Sequence, residues 1–449
     1  MQGRKYNRLV GVVVLNMALL ASTKALSVEV SSGGYGRDAT GYIEAAGIRF
    51  TPRLYMGVGY DDNIYKSKSL VTSSSTFSAS PSLEARITSG VNLYRMQFNI
   101  HSIRYPSGRK LDYTNYGAKF DIHHEFTRRH RLDINLYAAE LHVPNSIGPD
   151  KGTDPLSVSA ADGRDPSKLN RQRPIEFIKQ SVDIRYGFGN KLARAQSEVF
   201  LNLDGRQHKK MKSADAGIKM LGYNFHYRLM PKTKMLLETN LRNMVYDSRQ
   251  SVNSAGVREE DVYQKFNVKT YLVGLTWDST AKTTSYFKAG QRFRVTDVRS
   301  VPTKNSGAGK ETMNVLEAGM TYNPRPHSVV QLYVVRDYSY ESDDPASATF
   351  TKLVNGIISW EHGWTERYRT YVALDIMKGE TQNAFGELLR YRDTSVLYVA
   401  LSWRLRRWLS VNVGFRHEDR KDDIQMIDDS IIDGTYIRNI FNINVAIIL

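Results

Sequence analysis

The 449-residue chain contains no cysteine. That excludes a disulfide framework, a lipoprotein anchor and a thiolate metal site. Sustained hydrophobicity is scarce too. Beyond residue 25 no apolar run approaches the ~20 residues of a membrane helix, and mean hydropathy is −0.44. A helical membrane protein is thereby excluded. A barrel is not, because half of each barrel strand faces water or lumen.

Catalytic patterns are missing as well. NSGAGKET around Lys310 lacks the GxxxxGK(S/T) spacing of a phosphate loop and reads as an outer loop. His123 and His124 are adjacent on a strand, so they face opposite ways and cannot share a metal. No Ser/His/Asp set assembles by spacing. The chain is therefore read as non-enzymatic, with no catalytic residue, no cofactor and no metal site expected.

What is present begins with an export pattern. Arg4, Lys5 and Arg8 precede the apolar stretch LVGVVVLNMALLAS, and small residues follow between Ala21 and Ser27. Residues 1–25 are expected to be a cleaved secretory signal, and 26–47, small and polar, a periplasmic lead-in. The net charge of +16 would suit nucleic acid, but an export signal argues against that partner.

From Ile48 the pattern changes to strict alternation. Phe77, Ala79, Pro81, Leu83, Ala85 and Ile87 share one face of a strand, and Ser78, Ser80, Ser82, Glu84, Arg86 and Thr88 share the other. The next strand repeats the split, with Tyr94, Met96, Phe98 and Ile100 against Arg95, Gln97, Asn99 and His101. Eighteen such strands can be counted, starting near Ile48, Thr76, Val91, Asn115, Arg131, Pro174, Ala193, Gly217, Thr233, Val262, Ala281, Thr312, His327, Ala348, Glu366, Arg392, Arg407 and Thr435. Their joints alternate between short (SGV, RRHR, MPKT, NPRPH) and long, the longest running from Val143 to Arg173. Short periplasmic turns and long outer loops are the habit of outer-membrane barrels. The expected fold is all-β: a transmembrane antiparallel up-and-down β-barrel of about 18 strands over residues 48–449, with both ends periplasmic. The strands and joints use nearly all the residues, leaving no plug domain. The long 143–173 loop is expected to constrict or cap the lumen.

Alternation also nominates functional residues. The candidate lumen-lining cations are Arg49, Arg53, Arg86, Arg95, Lys119, Arg185, Arg228, Arg242, Lys288, Arg292, Arg369 and Arg416. Acids such as Glu84, Asp121, Asp133, Asp183, Glu198, Glu238, Glu317 and Glu418 fall on the same face, which reads either as a cross-strand ion-pair network or as a path for a charged solute. Arg128, Arg129, Arg131, Arg404, Arg406 and Arg407 fall at short turns, where they form a candidate periplasmic mouth for an anionic polymer or bind lipid phosphates. The acidic pairs Asp61/Asp62, Asp343/Asp344, Asp422/Asp423 and Asp428/Asp429 are placed on outer loops, as solvated loop residues or cation holders among lipopolysaccharide phosphates.

The opening block FTPRLYMGVGYDDNIY (Phe50–Tyr65), with SPSLEARITSGVNLYRMQF, LDYTNYGAKFDIHHEF and RRHRLDINLYAAELH after it, resembles the β-barrel porins found with exopolysaccharide and capsule synthesis systems of Gram-negative bacteria (the EpsL/VpsM and CpsB-like barrels). The likeness is clearest over Ile48–His142. It implies an outer-membrane channel or accessory for polysaccharide secretion. Implied partners are outer-membrane lipid and lipopolysaccharide, an anionic polysaccharide and periplasmic polysaccharide-export proteins. A general or solute-selective porin, and a structural surface barrel with a loop-closed lumen, are the alternatives.

Overall fold

The protein is seen here as a computed structural model describing residues 42–68, 71–143, 174–190, 192–209, 215–246, 251–252, 258–259, 263–299, 309–339, 350–382, 388–425 and 431–448. The signal region and the 144–173 stretch lie outside the described residues.

Eighteen strands go round the molecule: β1 (Ile48–Asp61), β2 (Ser74–Ser89), β3 (Asn92–Arg104), β4 (Tyr113–Thr127), β5 (His130–Val143), β6 (Ile175–Phe188), β7 (Ala195–His208), β8 (Ala216–Met230) and β9 (Thr233–Tyr246) make the first half. The second half is β10 (Tyr263–Thr280), β11 (Thr283–Arg299), β12 (Gly309–Arg325), β13 (Ser328–Ser339), β14 (Phe350–Gly363), β15 (Tyr368–Gln382), β16 (Leu388–Arg404), β17 (Leu409–Gln425) and β18 (Tyr436–Ile448). Each pairs antiparallel with its neighbour in sequence. The ring closes where β1 pairs with β18, from Arg53 opposite Ile448 to Asp61 opposite Ile440. Every strand start falls within four residues of the position read from the sequence.

Closure follows from the two faces. Met56, Val58 and Tyr60 of β1, Phe98 and Ile100 of β3, Tyr271 and Val273 of β10, and Phe441 and Ile443 of β18 all point out and are exposed. Exposed apolar side chains on every wall are a liability in water and the required surface in lipid. Hydrocarbon offers no partner to an open sheet edge, so the ring must be complete. The strands run from 12 residues in β13 to 18 in β10, more than the 9–11 or so that cross the apolar layer. Among the described residues no helix is long and apolar enough to cross a membrane. The chain is a transmembrane β-barrel of the outer-membrane type. Both ends of the ring, the start of β1 and the end of β18, lie at the end carrying the short turns.

The inner face is packed as well as charged. Phe200 lies flat on Gly222, its partner in register, where a Cβ would sit 2.1 Å from the ring. Met244, Phe266, Val268, Leu272, Met313, Val315 and Tyr338 form a buried apolar cluster on the β9–β13 side.

Three expectations change. The end of the lead-in folds: Ile43–Ala45 turns at Ala46–Gly47, both at positive φ, and pairs with β1 from Ile48 to Phe50. Because β2 occupies the other edge of β1, this stub fills the closing edge below the place where β18 ends. Lys310 belongs to strand β12, opposite Val295, rather than to a loop. Asp61 and Asp422 are buried strand residues, for the reason given below.

Candidate channel wall and mouth

Charges meet both along a strand and across the register. Arg95 stands opposite Asp121 and binds it at 2.6 Å, with Lys119 on the other carboxylate oxygen at 3.0 Å. Lys288, opposite Glu317, lies 3.3 Å from Glu317 and 3.4 Å from Glu238, and Tyr286 donates to Glu317 at 2.8 Å. Arg185 is held by Asp183 and Glu198, Arg53 by Glu84, Arg292 by Asp337, Arg369 by Glu361 and Arg416 by Glu418. Sequence reading did not single out Arg294, which is buried against Glu311 at 2.6 Å, although its alternation with Arg292 marks it as inward.

The other four nominated cations behave differently. Arg49 stands opposite Arg86, and Arg86 opposite Arg95, so three arginines line up across β1–β3 near the short-turn end. The Arg49 guanidinium lies 4.1 Å above the Tyr42 ring, and the Arg86 Nε is buried without a hydrogen-bond partner. Arg228 sits on the last turn-side residues of β8. Arg242 faces Met220, donating to its Sδ at 3.6 Å.

At the mouth the pairing stops. Arg128, Arg129, Arg131, Arg404, Arg406 and Arg407 have no carboxylate partner among the described residues. Arg131, by alternation with Leu132, Ile134 and the exposed Leu136, faces inward. It lies across Gly187, where a Cβ would come within 2.5 Å of its guanidinium, and donates to the Gly189 carbonyl at 3.2 Å. Gly189, at φ +110, returns a hydrogen bond from its N–H to the Arg129 carbonyl at 2.8 Å. Two neighbouring turns are thus stitched together around a cavity of about 280 Å³ lined by Glu125, Thr127, Arg128, Arg129, His130, Arg131, Gly189 and Asn190. His123 and His124 divide as expected. His123 points in, 2.5 Å from Asp133 and 3.3 Å from Glu125, while His124 packs edge-on to Phe126 outside.

At the opposite end the described residues tie the closing seam. Arg438 of β18 grips Asp61 of β1 with Nε at 3.0 and 3.1 Å and Nη2 on the same carboxylate. Asp62 accepts from the Asn439 N–H and side-chain amide, both at 2.7 Å. Asn63 donates to the carbonyls of Ser67 and Ile437 at 2.8 and 2.9 Å. The YDDN motif is therefore the tie across the closing seam. Above it Ile64, Tyr105, Leu111 and Tyr113 form a small buried core, and burial, then Tyr113, pushes the Tyr105 phenol well above its ordinary value, keeping it neutral. Asp422 is a second anchor, bound by Arg390, by Arg392 at 3.4 Å and by Arg420 at 3.2 Å. These two acids belong to strands that rise beyond the membrane layer, so they are inner-wall residues and not loop cation holders. Asp343/Asp344 and Asp428/Asp429 lie outside the described residues.

Among the described residues one group has metal-ligand composition: Glu140, His142 and Glu176, whose ligand atoms lie within 4.8 Å of one another. Lys209 already bridges the two carboxylates, at 2.7 and 3.3 Å. An ammonium in that position supplies the charge a cation would.

No family model matches the chain, and no curated protein matches it in sequence. Solved structures similar to it include the ferric-catecholate import receptor Fiu of E. coli K12, at 8% identity and TM-score 0.47 over 89% of this chain and 81% of that one. The FrpB iron transporter of Neisseria meningitidis has 9% identity and TM-score 0.46 over 89% and 81%, and OccAB3 of Acinetobacter baumannii 10% and 0.40 over 90% and 100%. At these values the likeness assigns no function, and the functional reading rests on the barrel's own residues.

Proposed function

We propose that the protein is a non-enzymatic outer-membrane channel or accessory for secretion of an acidic exopolysaccharide or capsular polysaccharide. The observation that carries this reading is the segregation of charge by height. Cations on the inner wall are mostly neutralised by acids on the same or a nearby strand, whereas those at the short-turn mouth make no ion pair among the described residues. In a barrel with short turns toward the periplasm, an unneutralised basic ring framed by a low-dielectric wall concentrates anionic solute at the entrance. A wall of balanced charge then gives a long anion little to stick to. The resemblance of the opening block to polysaccharide-associated barrels points the same way. A solute-selective porin is the second reading, favoured by the same paired wall if the mouth serves only small ions.

Replacing Arg128, Arg129 and Arg131 with Gln, and separately Arg404, Arg406 and Arg407, should lower the amount of secreted acidic polymer with barrel abundance in the membrane unchanged. Normal polymer in both variants, together with altered uptake of small anions, would leave the porin reading in its place.

A further inference from the structure

We propose that the cavity between the β4–β5 and β6–β7 turns is a binding subsite for one anionic group, the carboxylate of an acidic sugar, at the periplasmic entrance. The inference rests on the polymer-channel reading and assigns it a specific first contact.

Three observations carry it. The first is the charge of the lining. Three arginines (Arg128, Arg129, Arg131) face one acid, Glu125, and that acid is already engaged by His123 at 3.3 Å. Among the described residues the Arg131 guanidinium makes one hydrogen bond, to the Gly189 carbonyl, out of the five N–H donors it carries, and Glu125, opposite it in register, makes no ion pair with it. Elsewhere on the wall Arg95, Arg185, Arg292 and Arg416, of the same orientation, are held by carboxylates. This site keeps its positive charge available.

The second is orientation. Glu125 and Thr127 alternate with the outward Ile122, His124 and Phe126, and Arg131 with the outward Leu136, so these cavity walls belong to the lumen face. Lipid phosphates would instead meet outward groups. His130, which also lines the cavity, turns its ring to that outer side, where it bonds Tyr186 at 2.5 Å.

The third is rigidity. Gly187 has no side chain, so the Arg131 guanidinium rests where a Cβ would be 2.5 Å from it. Gly189 then fixes that guanidinium through its carbonyl and the neighbouring turn through its N–H. Asn190 is anchored too, its carbonyl accepting from the Gln196 amide at 2.8 Å. A site already held in place loses little freedom on binding. At about 280 Å³ the cavity is smaller than the ~300 Å³ where pockets for whole drug-sized ligands begin. It accommodates one acidic unit of a chain that continues into the lumen.

The test uses the full-length barrel in planar bilayers. Oligogalacturonate is added to one side at a time and the block of ion current is titrated; inorganic phosphate and a neutral maltooligosaccharide serve as comparison probes. Block is expected from the short-turn side with the carboxylated oligomer and not with the neutral one. Arg131→Gln should weaken it about tenfold, the scale of one charge-assisted hydrogen bond. Gly187→Ala, which keeps the arginine but moves it, should weaken it as well. Lys110→Gln, at the opposite end, should match wild type. Heat-modified gel mobility confirms that each variant is folded. If the wild type is blocked by oligogalacturonate and both Arg131→Gln and Gly187→Ala behave like it, the subsite is wrong while the polymer reading stands. Stronger block by phosphate than by the carboxylated oligomer overturns the assigned ligand. If acidic oligomers block from neither side, the polymer reading itself falls.

Discussion

Asp61 and Arg438 are 377 residues apart in the chain and form a bidentate ion pair inside the barrel. One stands near the top of the first strand, the other on the last, so the pair exists only after the ring has closed. Both are almost fully buried, and a buried charge deprived of its partner is costly.

The seam should therefore be the sensitive point for stability. Asp61→Asn is expected to destabilise the folded barrel by about 3–5 kcal/mol, because Arg438 keeps its charge and loses its carboxylate. Asn63→Ala should cost about 1–3 kcal/mol for the buried carbonyl bonds it removes. Urea unfolding in detergent micelles measures both, and equal stability of wild type and Asp61→Asn would show that the seam does not depend on this pair.

A second buried network lies on the far wall. Lys288 separates Glu238 and Glu317, so Lys288→Met should leave two carboxylates facing each other and cost about 3–5 kcal/mol. Adding Glu238→Gln and Glu317→Gln should restore much of the loss, since an uncharged set of similar volume has no ion to desolvate. A triple variant no more stable than Lys288→Met would argue against repulsion as the cause.

The tryptophans offer an orientation test. Trp360, Trp364, Trp403 and Trp408 cluster at the short turns of neighbouring strands, and Trp277 stands near the short-turn end of β10. These are all five in the chain. Tryptophan favours the membrane–water interface. In bilayers with quencher-labelled lipid in a single leaflet, fluorescence should fall when the labelled leaflet is at the short-turn side and stay near its starting value when it is at the other. Equal quenching from both leaflets would contradict the placement.

Inner-face packing can be probed at Gly222. Valine there would drive its Cβ into Phe200, which now lies 2.1 Å from that position and whose ring is also 5.2 Å from the Arg185 guanidinium. Gly222→Val should reduce the yield of folded barrel in refolding assays, and Gly222→Val with Phe200→Ala should recover it. Normal yield of the single variant would show that the ring can move aside.

The sequence by itself determined the barrel: strand number, strand faces, the alternation of short and long joints and hence the end at which both termini of the ring lie. These are local matters, because side chains along a strand alternate whatever lies beside it, and turns and loops announce themselves by composition. It also nominated cations for the inner face. It did not determine which of them are neutralised. Arg86 and Arg95 look alike along their strands, yet one stands opposite Arg49 and the other opposite Asp121. For these two the register between neighbouring strands decides it. The same holds for YDDN and for Asp422, which read as polar loop residues because paired acids suggest solvent. In the folded ring the strands outrun the membrane layer and bring Arg438, Arg390 and Arg420 against them. The stub Ile43–Ala45 was invisible for a related reason: it pairs with Ile48–Phe50, while the described pairing of β18 with β1 starts at Arg53, and only the register of the closing seam shows this.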